Sequence, residues 1–297
     1  MTLKPIGQPG GYDVKFLVIG LGRVGLDAIA ALTDNKTSGT TLLALSQDEA
    51  ALRQSKADVG ILLPSDHDAL AAGDTFEQLR RAIEASNVCF IVAGGSDDSE
   101  RKALAEIASI AHELDAFLIG WLGGADAGKA LADDGSSPTD LADRFSVISL
   151  PDQPENGTGN QVRVANICRH ITDLSGLISQ PSLIGVDYAD VRAILKAKGI
   201  VSAGMGHARG EDRANQAAEA ALSDCMFTGG EFGDVENLLL NVVGGQDVEL
   251  AELETALRCV EKRISSGPNV LVGMTSDPAC IDEIRIQLML TARAARN

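Results

Sequence analysis

Short apolar runs alternate with helix-like segments through the first half of this 297-residue chain, and this alternation constrains the fold more than any other feature. Val14–Ile19 is an apolar run that ends at a glycine, which is typical of a buried parallel strand. Leu26–Leu32 follows with helical spacing, and the two kinds of segment then repeat as far as Leu150. The pattern predicts an α/β fold in which helices cover a parallel sheet. Further strands are predicted at Thr41–Ser46, Val59–Leu63, Asn87–Ala93, Ala116–Trp121 and Ser146–Leu150, and helices at Asp48–Gln54, Thr75–Ala85 and Asp98–Leu114.

A long helix is predicted at Gln161–Ser179, because its apolar residues fall on one stripe. Its place in the chain suggests a connector between two halves, of which the second mixes strands and helices. We therefore predict three parts: residues 1–160, 161–180 and 181–297. In the last part, strands are predicted at Gly199–Met205, Asn237–Val243, Val270–Met274 and Ile284–Leu290, and helices at Tyr188–Lys198, Glu211–Ser223 and Leu250–Ile264.

The charge of the chain argues against nucleic acid and anionic membrane surfaces as partners. Its 42 acidic and 25 basic residues give a formal net charge of −17, which repels phosphate backbones and acidic lipids. No apolar run is long enough for a membrane span, and the N-terminus lacks the apolar segment of a signal peptide. The five cysteines form no CxxC pair, so we expect buried thiols in a reducing cytoplasm.

The segment Gly20-Leu21-Gly22-Arg23-Val24-Gly25, here called the glycine turn, lies between a predicted strand and a predicted helix. In this setting glycines let backbone N–H groups approach an anion at the positive end of the helix, so the turn is a candidate phosphate site. Asp48 follows at the spacing of a ribose-binding acid in dinucleotide folds. Two alternatives stay open: a turn that packs closely and holds no ligand, and an NAD-binding oxidoreductase. The oxidoreductase lacks an evident His or Tyr group for proton transfer.

The stretch Leu177–Ser223 resembles the second-half core of the FtsZ family, the bacterial homologues of tubulin. The resemblance depends on three motifs in order: Asp187-Tyr188-Ala189-Asp190-Val191-Arg192, then Gly204-Met205-Gly206, then Gly210-Glu211-Asp212-Arg213-Ala214. It extends over nearly the whole chain and is weakest between Gly123 and Asn160.

This resemblance implies a tubulin/FtsZ-like fold. A GTPase-like, parallel-sheet domain would bind GTP or GDP, and a long central helix would join it to a smaller mixed α+β domain. The head of the central helix would offer Asn156, Asn160 or Asn166 to the base. The positions that match the family's nucleotide-binding segments are Gly20, Leu21, Gly22, Arg23, Gly25, Ser46, Asp48, Gly94, Gly95 and Ser96.

The resemblance also implies head-to-tail assembly with itself or with an authentic FtsZ. In the family, acidic residues on the loop after the central helix enter the next subunit's GTP site and position the attacking water. Asp187 and Asp190 match those acids and are the candidate catalytic residues. A second interpretation is that Asp187 only caps the helix that starts near Tyr188.

The chain departs from the family at the phosphate-binding signature loop. A glycine- and threonine-rich loop is expected after the fourth strand, but this chain has Gly94-Gly95-Ser96-Asp97-Asp98-Ser99-Glu100. Acids beside a triphosphate repel it, so we expect Asp97 and Asp98 to cap the next helix in place of a phosphate. Alternatively, the acids bind a divalent cation such as Mg²⁺ that bridges to phosphate.

Two functional hypotheses follow. One is a divergent FtsZ-like cytoskeletal protein of cell division, with altered guanine-nucleotide binding and weak or no GTP hydrolysis. The other is a non-catalytic regulator or cap of FtsZ filaments that binds no nucleotide. Because the chain stops at Asn297, soon after the last predicted strand, we expect no C-terminal adaptor-binding tail.

Overall fold

A computed structural model describes residues 14–64, 74–94, 98–122, 146–149, 158–180, 182–195, 201–225, 235–264 and 267–292. The described residues form two compact units, one spanning Val14–Thr172 and the other starting at Asp173. The division therefore falls inside the long predicted helix. The boundaries expected at residues 160 and 180 stay a prediction.

The first unit contains the predicted parallel sheet. Its strand order is β3-β2-β1-β4-β5-β6, and every pairing is parallel. The strands are β1 (Phe16–Leu21), β2 (Thr40–Ser46), β3 (Val59–Leu62), β4 (Val88–Ala93), β5 (Phe117–Leu122) and β6 (Ser146–Ser149). The helices are α1 (Gly22–Leu32), α2 (Glu49–Gln54), α3 (Asp74–Glu84), α4 (Asp98–Glu113) and α5 (Thr158–Ser179), of which α5 ends in the second unit.

Both faces of this sheet are apolar, as expected for parallel strands between helices. On one face, strand residues such as Leu17 and Ile19 join α3 and α4 in a single core. On the other face, the rings of Phe16 and Phe90 stack at 6.3 Å, and Phe90 lies 5.8 Å from Trp121. The successive residues Phe16 and Leu17 thus serve opposite faces, as the strand period of two requires.

The second unit contains a mixed sheet with the order β8-β11-β9-β10-β7. Strands β9 and β10 are parallel, and the other pairs are antiparallel. The strands are β7 (Ser182–Ile184), β8 (Val201–Arg209), β9 (Val235–Gly244), β10 (Asn269–Ser276) and β11 (Glu283–Ala292), and the helices are α6 (Tyr188–Leu195), α7 (Arg213–Asp224) and α8 (Leu250–Glu261).

Strand β11 lies between β8 and β9, so both of its edges are paired. Its apolar residues, from Ile284 to Leu290, pack against α7 and α8. On the opposite face, Arg285 donates to Asp173 of α5 at 3.0 Å and to Asp277 at 2.8 Å. The C-terminal part of α5 is thereby bound to the second unit.

The described residues contain no cluster suited to a metal ion and no helix long and apolar enough to cross a membrane. All five cysteines are unpaired and buried, as predicted. Burial raises the pKa of the Cys89, Cys168 and Cys225 thiols to about 12, so these thiols stay protonated at neutral pH.

Candidate functional site

The carboxyl ends of β1, β2 and β4 meet at one edge of the first sheet. In the strand registers, Leu21 pairs with Leu45 on one side and with Ala93 on the other. The glycine turn, Ser46 and Gly94 therefore lie at the same edge, where open α/β sheets bind their ligands. Gly95 and Ser96 lie outside the described residues.

Two glycines of the turn are required by packing alone. A side chain on Gly20 would collide with the carbonyl oxygen of Gly25, and a Cβ on Gly25 would come within 2.5 Å of the Val92 carbonyl oxygen. These contacts let α1 start directly against β1 and β4. Gly20 and Gly25 would therefore be needed even if the turn held no ligand.

The third glycine, Gly22, starts α1 with a φ of 63°, in the left-handed region that favours glycine. Leu21 is at the N-cap position and gives the helix no side-chain hydrogen bond. The first turn of α1 contains no acidic residue either. The positive end of α1 thus receives no complementary group from its own segment.

Glu100 of α4 supplies an acid at this end of α1. Its side chain is only 7% exposed, and its carboxylate lies where a Cβ of Gly22 would be. The Glu100 Oε2 atom is also 3.6 Å from the ideal Cβ position of Gly94. The carboxylate therefore lies between the glycine turn and the end of β4.

This position does not fit a bound phosphate. A phosphate held by the glycine turn would need the space beside Gly22 that the Glu100 carboxylate fills. Two anions in contact repel strongly where water is excluded. As described, the turn does not fit the phosphates of GTP or GDP.

Sequence reasoning counted Glu100 among the acids of the signature loop but did not give it this role. The sequence predicted that Asp97 and Asp98 cap the helix where a phosphate would bind. Asp97 and the side chain of Asp98 lie outside the described residues, so this stays a prediction. The available signal was helical spacing, since Glu100 falls on the stripe of α4 that contains the buried residues Leu104 and Ile107.

Other predicted positions near the turn interact within the chain. Asp48 caps α2, because its Oδ1 accepts hydrogen bonds from the backbone N–H groups of Ala50 and Ala51 at 2.8 and 3.1 Å. The Ser46 hydroxyl oxygen accepts one from the Asp48 N–H at 3.0 Å. Leu21 is buried in the core, whereas Arg23 is exposed to solvent.

Among the predicted base-binding candidates, Asn160 is the most buried of those described, at 8% exposed. Its Nδ2 donates to Asp27 of α1 at 3.2 Å. Its Oδ1 has no hydrogen-bond partner among the described residues. Asn166 is half-buried on α5, and Asn156 lies outside the described part of the chain.

The two candidate acids, Asp187 and Asp190, belong to the second unit. Asp187 occupies the capping position of α6: its Oδ1 accepts from the Ala189 N–H at 3.1 Å, and its carbonyl oxygen accepts from the Val191 N–H at 3.1 Å. Both acids are exposed. Capping uses one carboxylate oxygen of Asp187 and leaves Asp190 facing solvent, so this acidic end of α6 can still contact a partner.

Comparison with known proteins agrees with this architecture. The FtsZ family, C-terminal domain, matches residues 199–293. Cell division protein FtsZ of Coxiella burnetii is 26% identical over 316 residues, which cover 96% of this chain and 81% of that protein.

The fold is similar to that of solved FtsZ-type structures. A mutant FtsZ of M. jannaschii superposes with a TM-score of 0.79 at 23% identity, over 94% of this chain and 91% of that one. CetZ2 from Haloferax volcanii, solved as a GTPγS-bound protofilament, has a TM-score of 0.68 at 20% identity, over 95% of each chain. The family match, the relative and the solved structures agree that this chain is similar to FtsZ and has a tubulin/FtsZ-like fold.

Proposed function

We propose that this chain assembles head to tail with an authentic FtsZ or with itself through the acidic end of α6, and hydrolyses GTP weakly or not at all. The observation that carries the proposal is the exposure of Asp187 and Asp190 at the start of α6, in an FtsZ-like second unit. An exposed pair of acids at this position is what the FtsZ resemblance implies for a subunit that enters its neighbour's site. Carboxylates there can orient a water molecule for attack on the neighbour's γ-phosphate.

The two candidate assembly sites of such a subunit would not be equivalent. The acidic end offers both carboxylates, whereas the glycine turn is filled by Glu100. A subunit of this kind would dock on the GTP-bearing end of an FtsZ filament and would not itself receive a further subunit. This observation favours the second candidate function, a non-catalytic cap or regulator of FtsZ filaments.

The test mixes the purified chain with FtsZ from the same organism and GTP, and measures sedimented polymer and filament length by electron microscopy. We expect filaments to shorten as the chain is added. The double variant Asp187→Asn/Asp190→Asn should lose this effect, because it removes both carboxylates while keeping their shape. Asp34→Asn/Asp74→Asn is the matched control, since it removes two exposed charges in the first unit.

Unchanged filaments at equimolar protein would refute docking on FtsZ. Polymerisation of the chain alone, lost in the Asp187→Asn/Asp190→Asn variant, would instead identify a second copy as the partner. Robust phosphate release from GTP by such polymers would refute weak hydrolysis.

A further inference from the structure

The carboxylate of Glu100 lies against Gly22 of the glycine turn. We propose that Glu100 is a built-in anion that complements the N-terminus of α1 and excludes phosphate groups, so that this one side chain determines which ligands the turn accepts. The inference gives a physical reason for the weak nucleotide binding in the proposed function, and it rests on that part of the proposed function alone. It concerns the glycine turn and does not depend on docking through the acidic end of α6.

The first step is geometric. Any side chain at Gly22 would collide with the Glu100 carboxylate, and Gly94 lies on the other side of that carboxylate. The absence of side chains at Gly22 and Gly94 thus makes room for the Glu100 carboxylate. The carboxylate and a phosphate compete for the same space.

The second step is electrostatic. Helix α1 has neither a capping side chain nor an acid in its first turn, so its positive end depends on a group from elsewhere. A buried carboxylate is stable only when charges or hydrogen-bond donors compensate it. The N-terminus of α1 offers Glu100 such compensation, and Glu100 offers α1 its missing anion.

The third step is that Glu100 cannot easily turn away. It lies on the buried stripe of α4, whose residues Ala103, Leu104 and Ile107 are packed in the core of the first unit. Glu100 itself is 7% exposed. A ligand would therefore have to displace a fixed acid, not a mobile surface side chain.

The test measures binding of GDP and, separately, of inorganic phosphate to the full chain by titration calorimetry. The wild-type chain should bind GDP at least about 100-fold more weakly than Glu100→Ala, because like charges in contact repel strongly at the effective dielectric of a protein site. Glu100→Gln, which keeps the shape but not the charge, should fall between the two. Glu106→Gln removes an acid from the same helix and should behave as wild type.

A second measurement guards against a folding defect. Glu100→Ala should unfold at a lower temperature than wild type, because α1 loses its anion, and inorganic phosphate should restore part of the loss. Phosphate should raise the unfolding temperature of the wild type no more than sodium chloride does at the same ionic strength. Sodium chloride at the same ionic strength is the control for general salt effects.

Wild-type binding of GDP as tight as that of Glu100→Ala would overturn the proposal, and so would a folded Glu100→Ala that binds neither GDP nor phosphate. Neither measurement involves filaments. Failure here therefore leaves the docking of the acidic end untouched, and failure of docking leaves the role of Glu100 untouched.

Discussion

At the scale of single residues, Arg213 forms two of the shortest ion pairs among the described residues, both within the second unit. Arg213, 8% exposed at the start of α7, donates from Nε to Glu252 and from a terminal nitrogen to Asp247, both at 2.6 Å. Glu252 also accepts from the Glu249 N–H, within the capping box of α8. One guanidinium thus joins the starts of α7 and α8. This contact explains the arginine in the motif Gly210-Glu211-Asp212-Arg213-Ala214.

Arg213→Met should lower the free energy of unfolding by about 3 kcal/mol, because it leaves Glu252 partly buried without its cation. Arg209→Met is the matched control: its ion pair with Glu283 is largely exposed on the arginine side, so its loss should cost about 1 kcal/mol or less. Urea denaturation at neutral pH measures both. Equal losses in the two variants would contradict the role given to Arg213.

Measuring the free energy of unfolding at acid pH separates the contribution of the ion pairs of Arg213 from that of its packing. Hydrogen bonds from Arg213 lower the pKa values of Glu252 and Asp247. A carboxyl group with a lowered folded pKa stabilises the fold above its unfolded pKa of about 4, and the contribution disappears as pH falls below that value. The difference in the free energy of unfolding between wild type and Arg213→Met should therefore become smaller from pH 6 to about pH 3. A constant gap would mean that only packing was lost.

At the scale of elements, the contact between α7 and β8 explains why the motif Gly204-Met205-Gly206 has glycine at two positions. Side chains on Gly204 or Gly206 of β8 would collide with backbone atoms of α7. Helix α7 contributes alanines to that contact, and Ala217 and Ala221 are fully buried. Glycine on the strand and alanine on the helix together allow an unusually close approach.

Gly206→Ala should destabilise the fold by about 3 kcal/mol, because its Cβ overlaps the α7 backbone and the helix must move away. Gly60→Ala is the control, since a Cβ there meets only Leu52 at 4.0 Å on the edge strand β3. Thermal unfolding of both variants measures the difference. A Gly206→Ala protein as stable as wild type would show that α7 adapts at no cost.

The periodicity of the sequence predicted most of the elements, because short apolar runs and helical stripes are local signals. Strand β7 was missed, since three residues are too few to show a period. The alternation in β11 was recognised, but it did not reveal that Arg285 and Gln287 lie on a covered face. Burial of that face depends on α5, because Asp173 of that helix pairs with Arg285 although it lies 112 residues earlier in the chain.

The candidate site was less predictable than the fold. Composition and spacing identified the glycine turn, and the resemblance to FtsZ identified Asp187 and Asp190. The acid that fills the turn comes from α4, and which acid reaches it depends on how α4 packs. Sequence alone therefore suggested an acid in the place of a phosphate but could not choose Glu100 over Asp97 and Asp98.

At the scale of the whole molecule, the net charge of −17 affects stability as well as the choice of partners. Like charges on a compact chain repel one another, and unfolding relieves part of that repulsion. The 42 acidic residues outnumber the 25 basic ones, so 17 acidic charges have no basic counterpart. The folded state should therefore gain from electrostatic screening.

The unfolding temperature should rise by several degrees between low salt and about 1 M KCl, as the screening length falls from tens of ångströms to about 3 Å. Tetramethylammonium chloride should act similarly, because screening requires no specific cation site. Calorimetry across a salt series measures the effect. An unfolding temperature that falls with salt would show that ion pairs outweigh the net repulsion.

The five buried thiols have a practical consequence for following this protein in solution. Maleimide reagents attack accessible thiolates, and these cysteines are both enclosed and, for Cys89, Cys168 and Cys225, held in the protonated form. In the native fold the five cysteines should therefore react little with maleimides, so that labelling can be directed to an introduced cysteine. An engineered Arg53→Cys on α2 or Arg258→Cys on α8, where the arginine side chains are 77% and 75% exposed, would give a single fluorophore attachment point in either unit without first replacing a native cysteine.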